Sequence, residues 1–363
     1  MKLALLIIGE NIRYNYPLID YIHKEVRNKI GKISSTVFID NEDKDLLLLF
    51  DEITKEFTHI LIFSSQKSFN LIGKILSTLT EDNLILKEEM LLPSKVKIYE
   101  KNSYLLKYKE SLINVLLTKE GEKLPNILMD SLDEERFFFV VDMDKEAAKS
   151  LIDPIAQSYD LKLSYSTVVP QTIYIRIQKN RFGEIEKFIK NLKESFPEKI
   201  IDHKSLISFA IEKLIEQKEE ITCVESCTGG LIASMITSHP GVSSIFKGSL
   251  VTYDNKIKEH WVLVSEETLK NFGAVSEQCV REMLDGVLKI TGAKFAMAVS
   301  GIAGPTGGTP EKPVGTVYVG ARAKDGEEII ERLFFKGDRN YIQKQAAIYA
   351  FKLLVKTKKE IFF

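Results

Sequence analysis

The sequence predicts an α/β protein in three parts, and three observations lead to that expectation. Short apolar runs alternate with helical patterns through residues 1–133, the rhythm of a layered α/β domain with a largely parallel sheet. The aromatic run Phe137–Val141 then opens a small α+β module over residues 134–200. Beyond it, over residues 201–363, two polar, glycine-containing segments each follow an apolar run, as in an α/β domain that carries a site at its strand ends. A chain of 363 residues exceeds one typical core, and about 100–200 residues per domain gives two or three.

In order, the first part reads as a strand at Leu3–Ile8, a helix from Leu18 to Ile30, a strand at Thr36–Ile39, a helix from Leu46 to Ile53 and a strand at Ile60–Phe63. The run after it, Ser64-Ser65-Gln66-Lys67-Ser68, lacks glycine and does not suit a phosphate-cradling loop. Around Asp130–Arg136 the chain turns acidic and polar. In the middle module a helical stripe runs through Ala147, Leu151 and Ile155. A strand at Thr172–Ile177 and a helix with Ile185, Phe188, Ile189 and Leu192 follow. An amphipathic helix containing Leu206, Phe209, Ile211 and Leu214 leads into the third part. There a strand at Ile221–Val224 precedes a helix at Leu231–Ile236, and a second strand ends at Val251-Thr252-Tyr253. A helix from Ser276 has Val280, Met283, Leu284 and Val287 on one face; strands at Phe295–Val299 and Thr316–Ala321 and a helix starting near Asp338-Arg339 complete it.

Hydrophobic residues make up 44% and charged residues 28% of the chain, which fits a soluble globular protein. The formal net charge of −1 gives no overall basic footprint for nucleic acid. The apolar start is cut off by Gly9-Glu10-Asn11, without a signal peptide's length or cleavage site, and no run approaches the roughly 20 apolar residues that span a bilayer. The expectation is a cytoplasmic location with no membrane partner. Three cysteines cannot build a disulfide framework, and Cys223 and Cys227 lack companions for a metal ligand set, so neither metal nor cofactor is expected.

The segments most informative for chemistry are Glu225-Ser226-Cys227-Thr228-Gly229-Gly230 and the stretch from Ser300-Gly301 through Gly304 and Thr306 to Thr309. Ser226 lies where a strand gives way to a helix, so its hydroxyl is either an exposed nucleophile near helix-start amides or an N-cap. The five histidines occur in no recognisable triad pattern. Lys258, one turn beyond the capping pair Asp254-Asn255, offers a base if burial and the helix start disfavour its ammonium; Lys256 competes, and spacing does not choose between them. Cys227 is an alternative nucleophile whose expected inward position favours packing. Arg339 is either a solvated helix-start arginine or a phosphate contact, and Gly304–Pro313 either a surface turn or a ligand-facing loop.

Val224–Gly230, Val251–Lys258, Gly273–Ser276, Ser300–Pro305 and Pro313–Val317, in that order, resemble the carboxy-terminal domain of the CinA family, which includes nicotinamide-nucleotide amidases (NMN deamidases). The resemblance covers roughly residues 205–355. It implies a Ser/Lys amidohydrolase that converts NMN and water to nicotinate mononucleotide and ammonia, in pyridine nucleotide recycling, and a homodimer. It puts the nucleophile on Ser226, the base on Lys258 and a site tyrosine on Tyr253. Thr228, Gly229 and Gly230 fall where amides would receive an oxyanion. Ser300 stands where a threonine is common, and with Gly301, Gly304, Thr306 and Arg339 it completes the implied substrate-contacting set.

Full-length CinA-like proteins carry an amino-terminal domain similar to molybdopterin-binding proteins, in some cases associated with metal-dependent ADP-ribose pyrophosphatase activity. Here the family's Gly-Gly-x-Gly-Pro-Thr-x-Asp-Asp segment reads Ser64–Asn70, without the glycines and the acidic pair, and Lys123–Met129 matches its second motif in part. The resemblance therefore implies a retained fold with a degenerate site. The expected function is NMN amidase. The alternatives are a non-catalytic nucleotide-binding regulatory or scaffold protein, and an ADP-ribose pyrophosphatase acting through the first domain.

Overall fold

The computed structural model describes residues 2–40, 46–130 and 136–363. The chain is a mixed α/β protein that divides into two compact units, Met1–Glu134 and Glu135–Phe363. The expected boundary between residues 133 and 134 lies outside the described residues.

The first unit runs β1 (Leu3–Ile8), α1 (Glu10–Arg13), α2 (Tyr16–Lys29), β2 (Ser35–Ile39), α3 (Leu46–Glu56), β3 (His59–Ser64) and α4 (Gln66–Leu79). Then come β4 (Leu84–Lys87), β5 (Met90–Pro93), β6 (Ile98–Glu100), β7 (Ser103–Tyr108) and β8 (Ser111–Leu117). Its six-stranded sheet has the order β2-β1-β3-β8-β7-β6. The strands β2, β1, β3 and β8 pair in parallel, whereas β7 and β6 join antiparallel. The sheet is thus parallel over four strands, and the tight turn at Lys109 (φ 52°) returns β7 into β8. The Ser64 hydroxyl donates to the Leu116 carbonyl at 3.2 Å, and Ser65 caps α4 by accepting from the Ser68 amide. The run read as unsuited to a phosphate loop is spent on strand and helix structure.

The second unit begins with β9 (Arg136–Val141), α5 (Lys145–Ser158), β10 (Leu161–Val169), β11 (Thr172–Lys179), α6 (Ile185–Ser195) and β12 (Ile200–Ile201). These form an antiparallel sheet of order β10-β11-β9-β12, a split β-α-β arrangement. The buried stripe of α5 is Ala148, Ile152 and Ala156, and Leu151 is 49% exposed. The expected stripe through Ala147, Leu151 and Ile155 is therefore displaced by one residue. Both stripes have the spacing of four that a helix requires, and packing selects the one facing the sheet.

The unit continues through α7 (Leu206–Gln217), β13 (Ile221–Glu225), α8 (Leu231–Thr237), β14 (Phe246–Val251), α9 (Asn255–Val262), α10 (Glu266–Asn271) and α11 (Glu277–Thr291). It ends with β15 (Phe295–Gly301), β16 (Thr316–Ala323), β17 (Glu328–Phe334), α12 (Arg339–Thr357) and α13 (Lys359–Phe362). The sheet order is β14-β13-β15-β16-β17, with β13 parallel to both neighbours and β16 and β17 antiparallel. Alternation along β15 sends Phe295, Met297 and Val299 into a core with α7 and α12, while Ala296 and Ala298 meet the face under α11. The first core also takes Phe139, Val141, Val169 and Ile201, so the small module and the large sheet share one apolar interior.

One close approach fixes α9. At Gly286 on α11 an added Cβ would lie 1.9 Å from the Val262 carbonyl oxygen, so the missing side chain is what lets the end of α9 sit against α11.

Candidate functional site

From β13 the chain runs first to β14 on one side and later to β15 on the other, so the carboxyl end of β13 lies at a topological switch point, where open α/β sheets place their ligands. Ser226 follows β13 there. Its amide donates to the Val299 carbonyl at 3.0 Å, extending the pairing with β15, and the Thr252 amide donates to the Glu225 carbonyl at 2.8 Å, extending the pairing with β14. The backbones of Ser226 and Thr252 therefore lie about one strand spacing apart, roughly 4.8 Å.

Lys258 is 1% exposed, and its Nζ donates to the carbonyls of Thr252 at 2.8 Å and Tyr253 at 3.1 Å. Burial pulls its pKa below the usual lysine range, opposed by smaller contributions from Cys279, Asp254 and Cys227. A neutral amine has two N–H groups and one lone pair. With both N–H groups engaged by carbonyls, the remaining tetrahedral direction carries the lone pair. Lys256, in contrast, is exposed. Asp254 caps α9 by accepting from the Lys256 amide at 2.8 Å, which sets the helix turn that turns Lys258 inward.

Ser226 is 8% exposed, and its hydroxyl makes no hydrogen bond among the described residues, to Lys258 or to any other group. Ser226 is not an N-cap: α8 is preceded by Gly230 at φ 99°, and no side chain of that residue caps it. The cap comes from Glu225, which is fully buried. Its Oε2 accepts from the amides of Gly230 (3.0 Å) and Ile232 (3.1 Å), and its Oε1 from that of Ala233 (2.9 Å). This corrects the expectation that amides across Thr228–Gly230 face a substrate. The Gly230 amide is taken by Glu225 and the Gly229 amide by the Ser226 carbonyl at 3.1 Å. Gly229 (φ 62°) and Gly230 shape the turn instead. The Thr228 amide has no acceptor among the described residues, and the Cys227 amide has none beyond its own thiol.

Cys227 is 5% exposed, and burial pushes its thiol up to about 12, which removes the thiolate a cysteine nucleophile needs. The histidines are engaged elsewhere or exposed: His23 meets Thr36, His59 meets Thr58, His203 meets Ser205 and Glu212, His239 meets Ser208, and His260 lies on the surface of α9. The hydroxyls of Thr228 and Thr252, both buried, have no partner among the described residues.

Arg339, the first residue of α12, joins two other predicted site residues. It donates to the Gly304 carbonyl at 2.7 Å and to the Tyr253 hydroxyl at 2.9 Å. Ser300 is 1% exposed and donates its proton to the Ala274 carbonyl at 2.7 Å, fixing the Gly273–Ser276 loop. Gly301 ends β15, and Thr306 is exposed on the following loop. That loop is tied to the sheet by the Gly315 amide donating to the Ile302 carbonyl at 2.7 Å. A sizeable hollow lined by Glu219, Lys294, Phe295, Asp325 and Lys358 lies at the opposite end of the sheet, where β13 and β15 begin.

Two residues escaped the sequence reading. Glu225 had a signal, since α8 follows two glycines with no capping side chain of its own. Gln343 on α12 had none: its amide donates to the Cys227 carbonyl at 2.6 Å across 116 residues of chain. Among the described residues no cluster of three or more His, Cys, Asp or Glu side chains is arranged to hold a metal ion, and no helix is long and apolar enough to cross a membrane.

The family profile of the CinA C-terminal domain matches residues 203–358. A CinA-like protein of Thermosipho melanesiensis is 41% identical over 174 residues, 47% of this chain and 43% of that protein. A CinA-like protein of Petrotoga mobilis is 31% identical over 293 residues, 78% of this chain and 72% of that protein. Among solved structures, competence/damage inducible protein CihA from Agrobacterium tumefaciens shares 36% identity at a TM-score of 0.41, covering 42% of this chain and 94% of that one. The chain spans about half the length of several curated relatives that it matches.

Proposed function

The chain belongs to the CinA family, and from that premise we propose that residues 201–363 form an amidohydrolase that converts the carboxamide of NMN to the carboxylate and releases ammonia. The observation that carries this reading is the Lys258 amine, buried and held by the carbonyls of Thr252 and Tyr253, where the Thr252 amide pairs with the carbonyl of Glu225, the residue before Ser226. Lys258 accepts the Ser226 proton, and the oxygen attacks the carboxamide carbon. The tetrahedral oxyanion is received by the Cys227 and Thr228 amides, which among the described residues have no other residue to donate to. Lys258 returns the proton to the leaving nitrogen, ammonia departs, and water repeats the sequence on the acyl-enzyme. Arg339 supplies the positive charge for the substrate phosphate beside Tyr253 and the Gly304 loop.

The proposal extends to the rest of the chain. Residues 1–133, 134–200 and 201–363 act as a degenerate molybdopterin-binding-like domain, a connecting module and the amidase. The first serves assembly or regulation, and the protein works in the cytoplasm as a homodimer. Ammonia and nicotinate mononucleotide measured together from NMN test the reading. Both are expected in equal amounts from the wild type and from neither folded Ser226→Ala nor folded Lys258→Ala. NMN binding without ammonia release by the wild type would replace the amidase with a nucleotide-binding regulator.

A further inference from the structure

Resting on that amidase reading, we propose that Gln343 is a positioning residue that aims the Thr228 amide at the oxyanion. A trans peptide is planar, so its C=O and N–H point in opposite directions, and whatever pins the carbonyl also aims the amide. Two peptide planes supply the candidate oxyanion donors, and each is pinned from its carbonyl side. The Ser226 carbonyl accepts from the Gly229 amide at 3.1 Å, which sets the Cys227 N–H. The Cys227 carbonyl accepts from the Gln343 side chain at 2.6 Å, which sets the Thr228 N–H. The first bond is local to the turn. The second comes from a helix remote in sequence, and among the described residues it is the hydrogen bond that fixes that plane.

The anchor is well supported. Gln343 sits in the second turn of α12, whose first turn is capped by Asp338 accepting from the Tyr341 amide at 2.8 Å. The next turn buries Ala346 and Ala347 completely. Glu225 secures the far side of the turn by holding the Gly230, Ile232 and Ala233 amides. The Ser226–Gly230 turn is therefore held between a carboxylate behind it and a carboxamide from α12, and the Thr228 amide is left pointing away from α12.

The test uses the full chain with Gln343→Ala, Gln343→Glu, which keeps the size but has no donor, and Gln343→Lys, which restores one. Two reactions are followed. One is NMN deamidation, read as kcat and KM. The other is labelling of Ser226 by a fluorophosphonate, in which the serine oxygen bonds to phosphorus, fluoride leaves and Lys258 takes the proton. Both reactions develop negative charge on an oxygen at the same amides. The first two variants are expected to lose about 10–100-fold in kcat and in labelling rate, below the full loss of an oxyanion donor, with KM changed less than about twofold. Gln343→Lys recovers part of the loss. A merely structural role would lower the melting temperature and leave the kcat of the folded fraction alone. Unchanged kcat and labelling in folded Gln343→Glu, or a change confined to KM, overturns the inference. If the wild type is labelled at Ser226 but does not act on NMN, the substrate reading fails and labelling rates alone judge Gln343. If the wild type is neither labelled nor active, the amidase reading fails and this inference falls with it.

Discussion

Replacing Glu225 by Gln exchanges one oxygen for an NH2 group in a fully buried cap. The carboxylate now accepts three backbone amides, two at Oε2 and one at Oε1. Glutamine retains the Gly230 and Ile232 bonds when its oxygen occupies the Oε2 position, but its nitrogen then faces the Ala233 N–H, donor against donor. The Ala233 bond to a charged acceptor is lost, about 1.5–3 kcal/mol, a buried amide is left without a partner, and the Ser249 hydroxyl, which donates to Oε1 at 3.4 Å, must turn to accept instead. Loss of the negative charge at the start of α8 adds about 0.3–1 kcal/mol. The expected destabilisation is about 2–4 kcal/mol, measured by urea unfolding of the full chain followed by circular dichroism. The reverse orientation loses two bonds and costs more, so the estimate is a floor. A change below about 0.5 kcal/mol, within the range of surface substitutions, would refute the view that Glu225 holds the Ser226–Gly230 turn together.

Lys258→Ala is expected to abolish deamidation, and Lys256→Ala to keep most of it, since Lys256 is exposed and Lys258 buried; the reverse order would move the base assignment. Because the base must be neutral and burial lowers the Lys258 pKa, kcat/KM should rise with pH through an inflection below the usual lysine range and then level off. A rate that falls over that range would rule out a lysine base. Arg339→Ala should raise KM for NMN by roughly 10–100-fold, the worth of a charged contact, and much less for nicotinamide riboside. Equal losses on the two substrates would leave Arg339 as a brace between Gly304 and Tyr253. Gly286→Ala forces a methyl group against the Val262 carbonyl, and a shift of α9 by about 1 Å is enough to lower kcat by roughly 100-fold. Unchanged kcat would show that Lys258 does not depend on that approach.

What was legible in the sequence follows from how local each determinant is. β1 and the stretches Ile60–Phe63 of β3 and Phe295–Val299 of β15 are continuous apolar runs, because strands covered on both faces leave little room for polar alternation. β10 was missed although Lys162, Ser164 and Ser166 alternate with Leu161, Leu163 and Tyr165, because an exposed face leaves so few apolar residues to mark the run. The displaced stripe of α5 has the same origin: two candidate faces of equal spacing, with the sheet beneath deciding between them. At the site, Ser226 and Lys258 were legible as residue types at strand and helix boundaries. The inward place of Cys227 was also expected, whereas the difference between Lys258 and Lys256 was not legible, because burial is a property of the assembled fold.

The parallel sheet is what converts those separated signals into one place. Since β13, β14 and β15 run in the same direction, the residues at and beyond their carboxyl ends, from Ser226, Thr252 and Ser300 onward, emerge at the same edge whatever the length of chain between them. The long helix α12 then crosses to that edge with its amino-terminal turns and brings Arg339 to the Tyr253 hydroxyl and Gln343 to the Cys227 carbonyl. A serine or a lysine announces itself by its chemistry, whereas a glutamine that aims a peptide plane is identifiable only by the carbonyl it holds. The residues proposed to react were therefore open to sequence reasoning, and those proposed to orient the backbone around them required the fold.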